Sequence, residues 1–288
     1  MNIFKRANRL SAAQGRALAC CAVPILQTEG AKFIRTFGIS KAKGKVEYRN
    51  KLMSDLNILN EKEAETVVSN FASGRVHEPL ISEIFTNIIK ERQYEIVRGI
   101  FSPLKQNDLH NLDLPSNFKN VWADSTNSAN EDIGAFMDFL SSTDQNSTFH
   151  KITSSSLLNR LNKAIKGYEN TFRALIVFGY SQEELMVLSD FKAWDLGRCG
   201  YIGRIAANNN LIGTNEVWDY MLKAAVCAAK SYHGWRAFLA AYFLGCGIAC
   251  PDIKIGDFRD GINFLLKNNK SPYRKYPLHT DLSNVTPD

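Results

Sequence analysis

Asp195 and Arg198 lie three residues apart and form the acid–base pair of this chain best placed for chemistry. On a helix such residues meet directly, an ion pair worth about 0.2–0.5 kcal/mol when exposed. Together with Glu216 and His233 they make a candidate polar site, a charged constellation for an enzyme or secreted effector. General acid–base work would fall to His233, or to His77 beside Glu78, but neither has a nucleophile partner in view. The catalytic residues are therefore left unassigned. The structural alternative makes Asp195 and Arg198 an interhelical tie beside Trp194, and the pattern favours it.

Two further patterns could bind ligands. Gly197, Gly200 and Gly203 recur every third residue within LGRCGYIGR, which also carries Arg198 and Arg204. A phosphate loop needs a preceding strand and a Gly-Lys-Ser/Thr ending, and both are missing. Glycine costs about 1 kcal/mol within a helix, so these positions are expected to admit a close neighbour, the glycine- and alanine-rich helix at 237–249. Cys246 and Cys250 are four apart, yet a zinc site needs two more ligands and the five histidines are scattered. No metal site and no cofactor is expected.

The elements that must position these residues are helices. Leu158, Leu161, Ile165, Tyr168, Phe172 and Leu175 form one apolar stripe. A second helix carries two adjoining stripes, Val217–Met221–Ala224–Ala228 and Trp218–Leu222–Ala225–Ala229, so neighbours must cover it on more than one side. Ile81, Ile84, Phe85, Ile88 and Ile89 mark one face of another helix within 78–97. Ser181-Gln-Glu-Glu184 is a capping box, and Asn60 with Glu63 and Thr214 with Glu216 are looser helix starts. Trp194, Trp218, Trp235 and Tyr242 fall on apolar stripes and are expected to pack in the core.

With 288 residues, 45% hydrophobic and 22% charged, the chain can bury a sizeable core as one large or two modest domains. The net charge of +6 is too mild for a dedicated nucleic-acid binder. The basic cluster Lys41, Lys43, Lys45, Arg49 and Lys51 reads as a solvated turn and helix start, with few aromatics for stacking bases. All six cysteines sit in apolar stretches and are expected as buried free thiols in a reducing cytoplasm. No run reaches the roughly 20 apolar residues of a membrane span. The N-terminal Lys5, Arg6 and Arg9 before ALACCAVPIL invite a signal-peptide reading, but Gln14 and Arg16 interrupt it and a buried first helix fits better.

Four segments make up a specific signature: Ala193-Trp194-Asp195-Leu196-Gly197-Arg198, Glu216-Val217-Trp218, Tyr232 to Phe238, and Tyr242-Phe243-Leu244-Gly245. In these the chain resembles the YbeU-like bacterial proteins of unknown function (DUF1266). The resemblance is strong over 190–250, plausible over 11–98, where GRALACCAVPILQTEGA is similar to the family's first helix, and absent over 99–153. Two positions depart from the pattern: Gly234 stands where the family has serine, and Cys246 where it closes with arginine. A site or ion pair built from the family's aspartate and arginines would be incomplete here.

The expected architecture is all-α, about eight to ten helices in one body. Residues 1–98 form an N-terminal helical part and 99–153 a polar insertion with one short helix near 130–141. Residues 154–270 form the signature region, and 271–288 a poorly ordered tail. The expected role is that of a cytoplasmic protein that binds another protein, an accessory or immunity-type function. The enzyme or effector centred on Asp195 and a nucleic-acid-associated protein are the alternatives.

Overall fold

Side chains that satisfy exposed backbone amides set several of the helix starts. The computed structural model describes residues 10–30, 33–37, 39, 44–74, 156–188 and 190–279. Ser11 Oγ accepts from Gln14 N–H at 3.1 Å and Gln14 Oε1 from Ser11 N–H at 3.2 Å, opening α1 (Ala12–Cys20). A break at Cys21 leads into α2 (Ala22–Thr28), and α3 (Lys45–Leu56) ends on Asn57 in the left-handed region. Asn60 then accepts from Glu63 N–H at 3.0 Å and starts α4 (Glu61–Ser73), while Glu63 reaches back to Leu59 N–H at 2.6 Å. These features bear out the Asn60 start.

Later in the chain come α5 (Ser156–Val177), α6 (Gln182–Met186), α7 (Ala193–Asn208), α8 (Thr214–Ser231) and α9 (Trp235–Ala249). A 3-10 turn (Ile255–Phe258), α10 (Arg259–Lys267) and α11 (Pro272–Lys275) follow. The Ser181–Glu184 box opens α6 as read from the sequence. The start of α8 differs by one residue: Glu216 Oε2 accepts from Gly213 N–H at 2.8 Å, which makes Thr214 the first helical residue. The described residues are all-α and contain no strand. The expected helix within 78–97, the connection at 99–153 and His77 lie outside the described residues.

The chain divides into two compact units. The first comprises Met1–His77, Lys192–Phe243 and Lys254–Asp288, and α7 is its central helix, touching α1, α2, α3, α4 and α8. Its buried residues run all round the axis, as expected of a helix with no solvent face. α8 lies antiparallel to it: Gly203 faces Val217, Gly200 faces Met221, and Tyr232 Oη accepts from Ala193 N–H at 3.0 Å. The stripe Val217, Met221, Ala224 and Ala228 is fully buried; of its neighbours Ala225 is buried while Trp218, Leu222 and Ala229 are half-buried.

The three α7 glycines admit close neighbours, though not the single helix expected from composition. A Cβ at Gly197 would lie 2.6 Å from the Tyr242 ring of α9, at Gly200 2.3 Å from Cys21 Sγ, and at Gly203 2.8 Å from Val217. Three partners take part because a spacing of three drifts around a helix of 3.6 residues per turn.

Residues 271–279 are packed, and an ordered end therefore replaces the first half of the expected tail. Ser271 caps α11 and its Oγ donates to Leu265 O at 2.5 Å; Pro272 occupies the first helical position, and Leu278 is buried. Tyr273 stacks on Trp235 with centroids 4.6 Å apart and planes 6° from parallel.

The second unit comprises Glu78–Phe191 and Leu244–Ile253. Here Gly167 of α5 meets the 244–249 segment of α9 backbone to backbone: a Cβ at Gly167 would overlap the Gly247 carbonyl oxygen. Tyr168 packs between Phe172 at 6.0 Å and Phe191 at 5.8 Å.

Candidate functional site

The N-terminal end of α7 gathers the expected site residues of its own helix. Asp195, only 6% exposed, sits in the first turn, where the helix dipole favours a carboxylate. Trp194 is half-buried and meets the Tyr242 ring edge-on at 5.1 Å, while Tyr242 itself is fully buried. The Arg198 guanidinium lies over Phe71 at 4.6 Å and over Trp194 at 4.9 Å. A planar cation between two ring faces is held by cation–π attraction and keeps one edge for solvent.

The remaining members of the candidate site lie apart. Glu216 is exposed and caps α8, whereas His233 is exposed just beyond the other end of that helix. At 1.5 Å rise per residue the two ends are roughly 25 Å apart, so Glu216 and His233 share no cleft. His233 falls at the Asp195 end of the antiparallel α7–α8 pair. Trp218 is half-buried against Phe37 at 5.1 Å, and Trp235 donates Nε1–H to the Tyr276 carbonyl at 2.7 Å.

At the C-terminal end of α7 lies a cluster that sequence reasoning missed. Arg204 is 1% exposed. Its Nη1 donates a long 3.4 Å bond to the Phe33 carbonyl, and among the described residues Nε and Nη2 find no hydrogen-bond partner. Burial pulls the guanidinium down from its ordinary value to about 10, opposed by the nearby Cys21 and Glu29 side chains. Tyr48 Oη donates to Glu29 Oε2 at 2.7 Å. Burial, then the Glu29 carboxylate, pushes the Tyr48 phenol well up. The Tyr201 ring carries Lys51 Nζ 5.3 Å from its centroid, and among the described residues the Tyr201 hydroxyl has no hydrogen-bond partner. A signal was present in the sequence: Arg204 is a lone charge within the apolar stretch Tyr201 to Ala207.

Four of the six free cysteines are buried, but Cys227 in α8 is half-buried and Cys250, one residue past the end of α9, is exposed. Among the described residues no cluster of three or more His, Cys, Asp or Glu could hold a metal ion. A surface hollow of about 460 Å³ opens beside Leu56, Asn57, Asn60 and Glu63, whose polar groups include those that cap the ends of α3 and α4. No described helix is long and apolar enough to cross a membrane.

The family described as "Protein of unknown function (DUF1266)" matches residues 104–278, well over half the chain, and the chain belongs to it. The matched range starts within the polar insertion, which corrects the expectation that the resemblance is absent over 99–153, and it excludes the opening helices. No curated protein matches the chain, and no solved structure does.

Proposed function

From membership of a family with no assigned activity, we propose that this chain is a cytoplasmic bacterial protein that works by binding another protein, in an accessory or immunity-type role. The observation that carries the reading is where the signature residues are spent. Tyr242 is enclosed, Trp235 is tied to Tyr276, Arg198 lies on two rings and Glu216 caps a helix. Among the described residues each of these four groups is engaged by a neighbour of its own. Exposed apolar side chains add support: Val177 is 72%, Met186 57% and Val187 77% exposed within one short stretch. Affinity capture of the tagged chain from its source cell, read by mass spectrometry, is expected to return one near-stoichiometric polypeptide. Retention of no polypeptide counts against the reading.

The buried Asp195 carboxylate supports a second reading, an enzyme or effector whose site involves Asp195 and Arg198. It expects Asp195→Ala to abolish activity or toxicity while the chain still folds. An unfolded Asp195→Ala chain would return Asp195 to a structural role.

A further inference from the structure

Arg204 is a cation that the fold encloses without satisfying, and neither reading above uses it. On α7 it follows Tyr201 by three residues, so the two side chains share one side of the helix, and both are buried. A guanidinium is a rigid planar fork of N–H donors. Its Nε–H and one N–H of Nη2 run parallel along one edge, the geometry that meets the two oxygens of a carboxylate. Those are the two nitrogens with no hydrogen-bond partner among the described residues.

The neighbours leave this edge unmet for identifiable reasons. Nη1, off the edge, has its 3.4 Å bond to the Phe33 carbonyl. That carbonyl also accepts from Thr36 N–H at 3.3 Å and from Thr36 Oγ1 at 3.4 Å, so it has little left for the cation. Glu29 accepts from Tyr48 Oη at 2.7 Å and makes no bond to the edge. The Tyr201 hydroxyl is a further buried donor with no partner among the described residues. After burial, Glu29 and then Tyr201 raise the Tyr48 phenol, which places both beside it. Lys51 Nζ lies 5.3 Å from the Tyr201 ring centroid, and Lys51 is half-buried at the rim. Arg204, Lys51 and Glu29 sum to one positive charge. A water accepts from the edge but leaves that charge standing, whereas a monoanion meets both needs.

We propose that Arg204 and Tyr201 form an internal site for a small monocarboxylate, held by the Nε–Nη2 edge and the Tyr201 hydroxyl, with Lys51 adding its charge from the rim. The ligand is a small free acid rather than a side chain of a partner protein, because Arg204 is enclosed. Entry is by way of the turn whose carbonyl Arg204 touches. Phe33, Thr36 and Phe37 there are half-buried, and the turn rests on Phe33 N–H to Gly30 O at 3.1 Å and the long Thr36 bonds. Such a thinly bonded surface turn opens by local fluctuation. The site needs no protein partner and stands apart from the binding role.

The full chain is melted while sodium formate replaces sodium chloride at constant ionic strength. A ligand that binds only the folded chain stabilises it by mass action, so Tm is expected to rise and saturate with formate. In Arg204→Met the response vanishes. In Tyr201→Phe the half-saturating formate concentration rises about threefold to tenfold, the loss of one neutral hydrogen bond. Should Arg204→Met not fold, the Tyr201→Phe shift decides alone. A Tm unchanged when formate replaces chloride overturns the proposal. So does an equal rise in the unaltered chain and Arg204→Met, which marks a bulk salt effect, or an unmoved midpoint in Tyr201→Phe.

Discussion

The two ends of α7 each present an arginine to the interior, and they treat it in opposite ways. Arg198 at the N-terminal end lies across the rings of Phe71 and Trp194 and keeps some solvent contact. Arg204 at the C-terminal end is enclosed, with one long bond and two N–H-bearing nitrogens unmet among the described residues. The first arrangement takes cation–π attraction without full desolvation; the second bears the desolvation of a charge with weak compensation. A residue type therefore does not fix its role: the neighbours that the fold delivers decide whether a charge stabilises or burdens the core.

Removing the aromatic wall of the N-terminal end should have the largest effect. Tyr242→Ala is expected to cost about 3–5 kcal/mol in urea unfolding, the usual range for a large enclosed ring. A loss below about 1 kcal/mol would mean that this end is a surface rather than core.

At the other end the hydrogen bond from Tyr48 to Glu29 is the strongest polar contact, so Tyr48→Phe should cost about 1–3 kcal/mol by leaving a buried carboxylate short of a donor. The pH dependence sharpens this. Because folding raises the Tyr48 phenol above its unfolded value near pH 10, its contribution is complete below pH 10 and is lost as pH climbs past it. Tyr48→Phe should therefore flatten the alkaline fall in stability, and an unchanged slope would remove Tyr48 from the account.

Arg204→Met should behave unlike a normal core substitution, changing stability by no more than about 1 kcal/mol or raising it, since an undercompensated charge gives way to an apolar chain of similar length. A loss of about 3–5 kcal/mol would show Arg204 to be well compensated and erase the contrast between the two ends. The smallest effect belongs to Gly234. Nothing lies within 4 Å of a Cβ there, so Gly234→Ser should stay within about 0.5 kcal/mol in thermal unfolding.

How far the sequence revealed this follows from range. The all-α class, the α6 capping box and the buried α8 stripe were legible because they rest on residues three or four apart. The proximity of Asp195 and Arg198 on one helix was legible for the same reason, while spacing could not show that Phe71, more than a hundred positions earlier, would lie under the Arg198 guanidinium. Glu216 and His233 sat close to the motif in sequence and proved to lie at opposite ends of one helix. The cluster around Arg204 was missed because Glu29, Phe33 and Tyr48 come from the distant first part of the chain, and no local pattern joins them to α7. Packing of residues 271–279 was hidden likewise, resting on Tyr273 meeting Trp235.

The central claim, that the α7 signature is spent on the interior rather than on a working cleft, is tested most directly by native-state hydrogen exchange. Elements that serve ligands open at low free energy, while core helices open only with the whole fold. The account predicts that the amides of Leu196 to Ile205 exchange at the free energy of global unfolding, together with those of α8. Exchange of α7 well below that level while α8 stays protected would contradict it, and would place the signature in a mobile site.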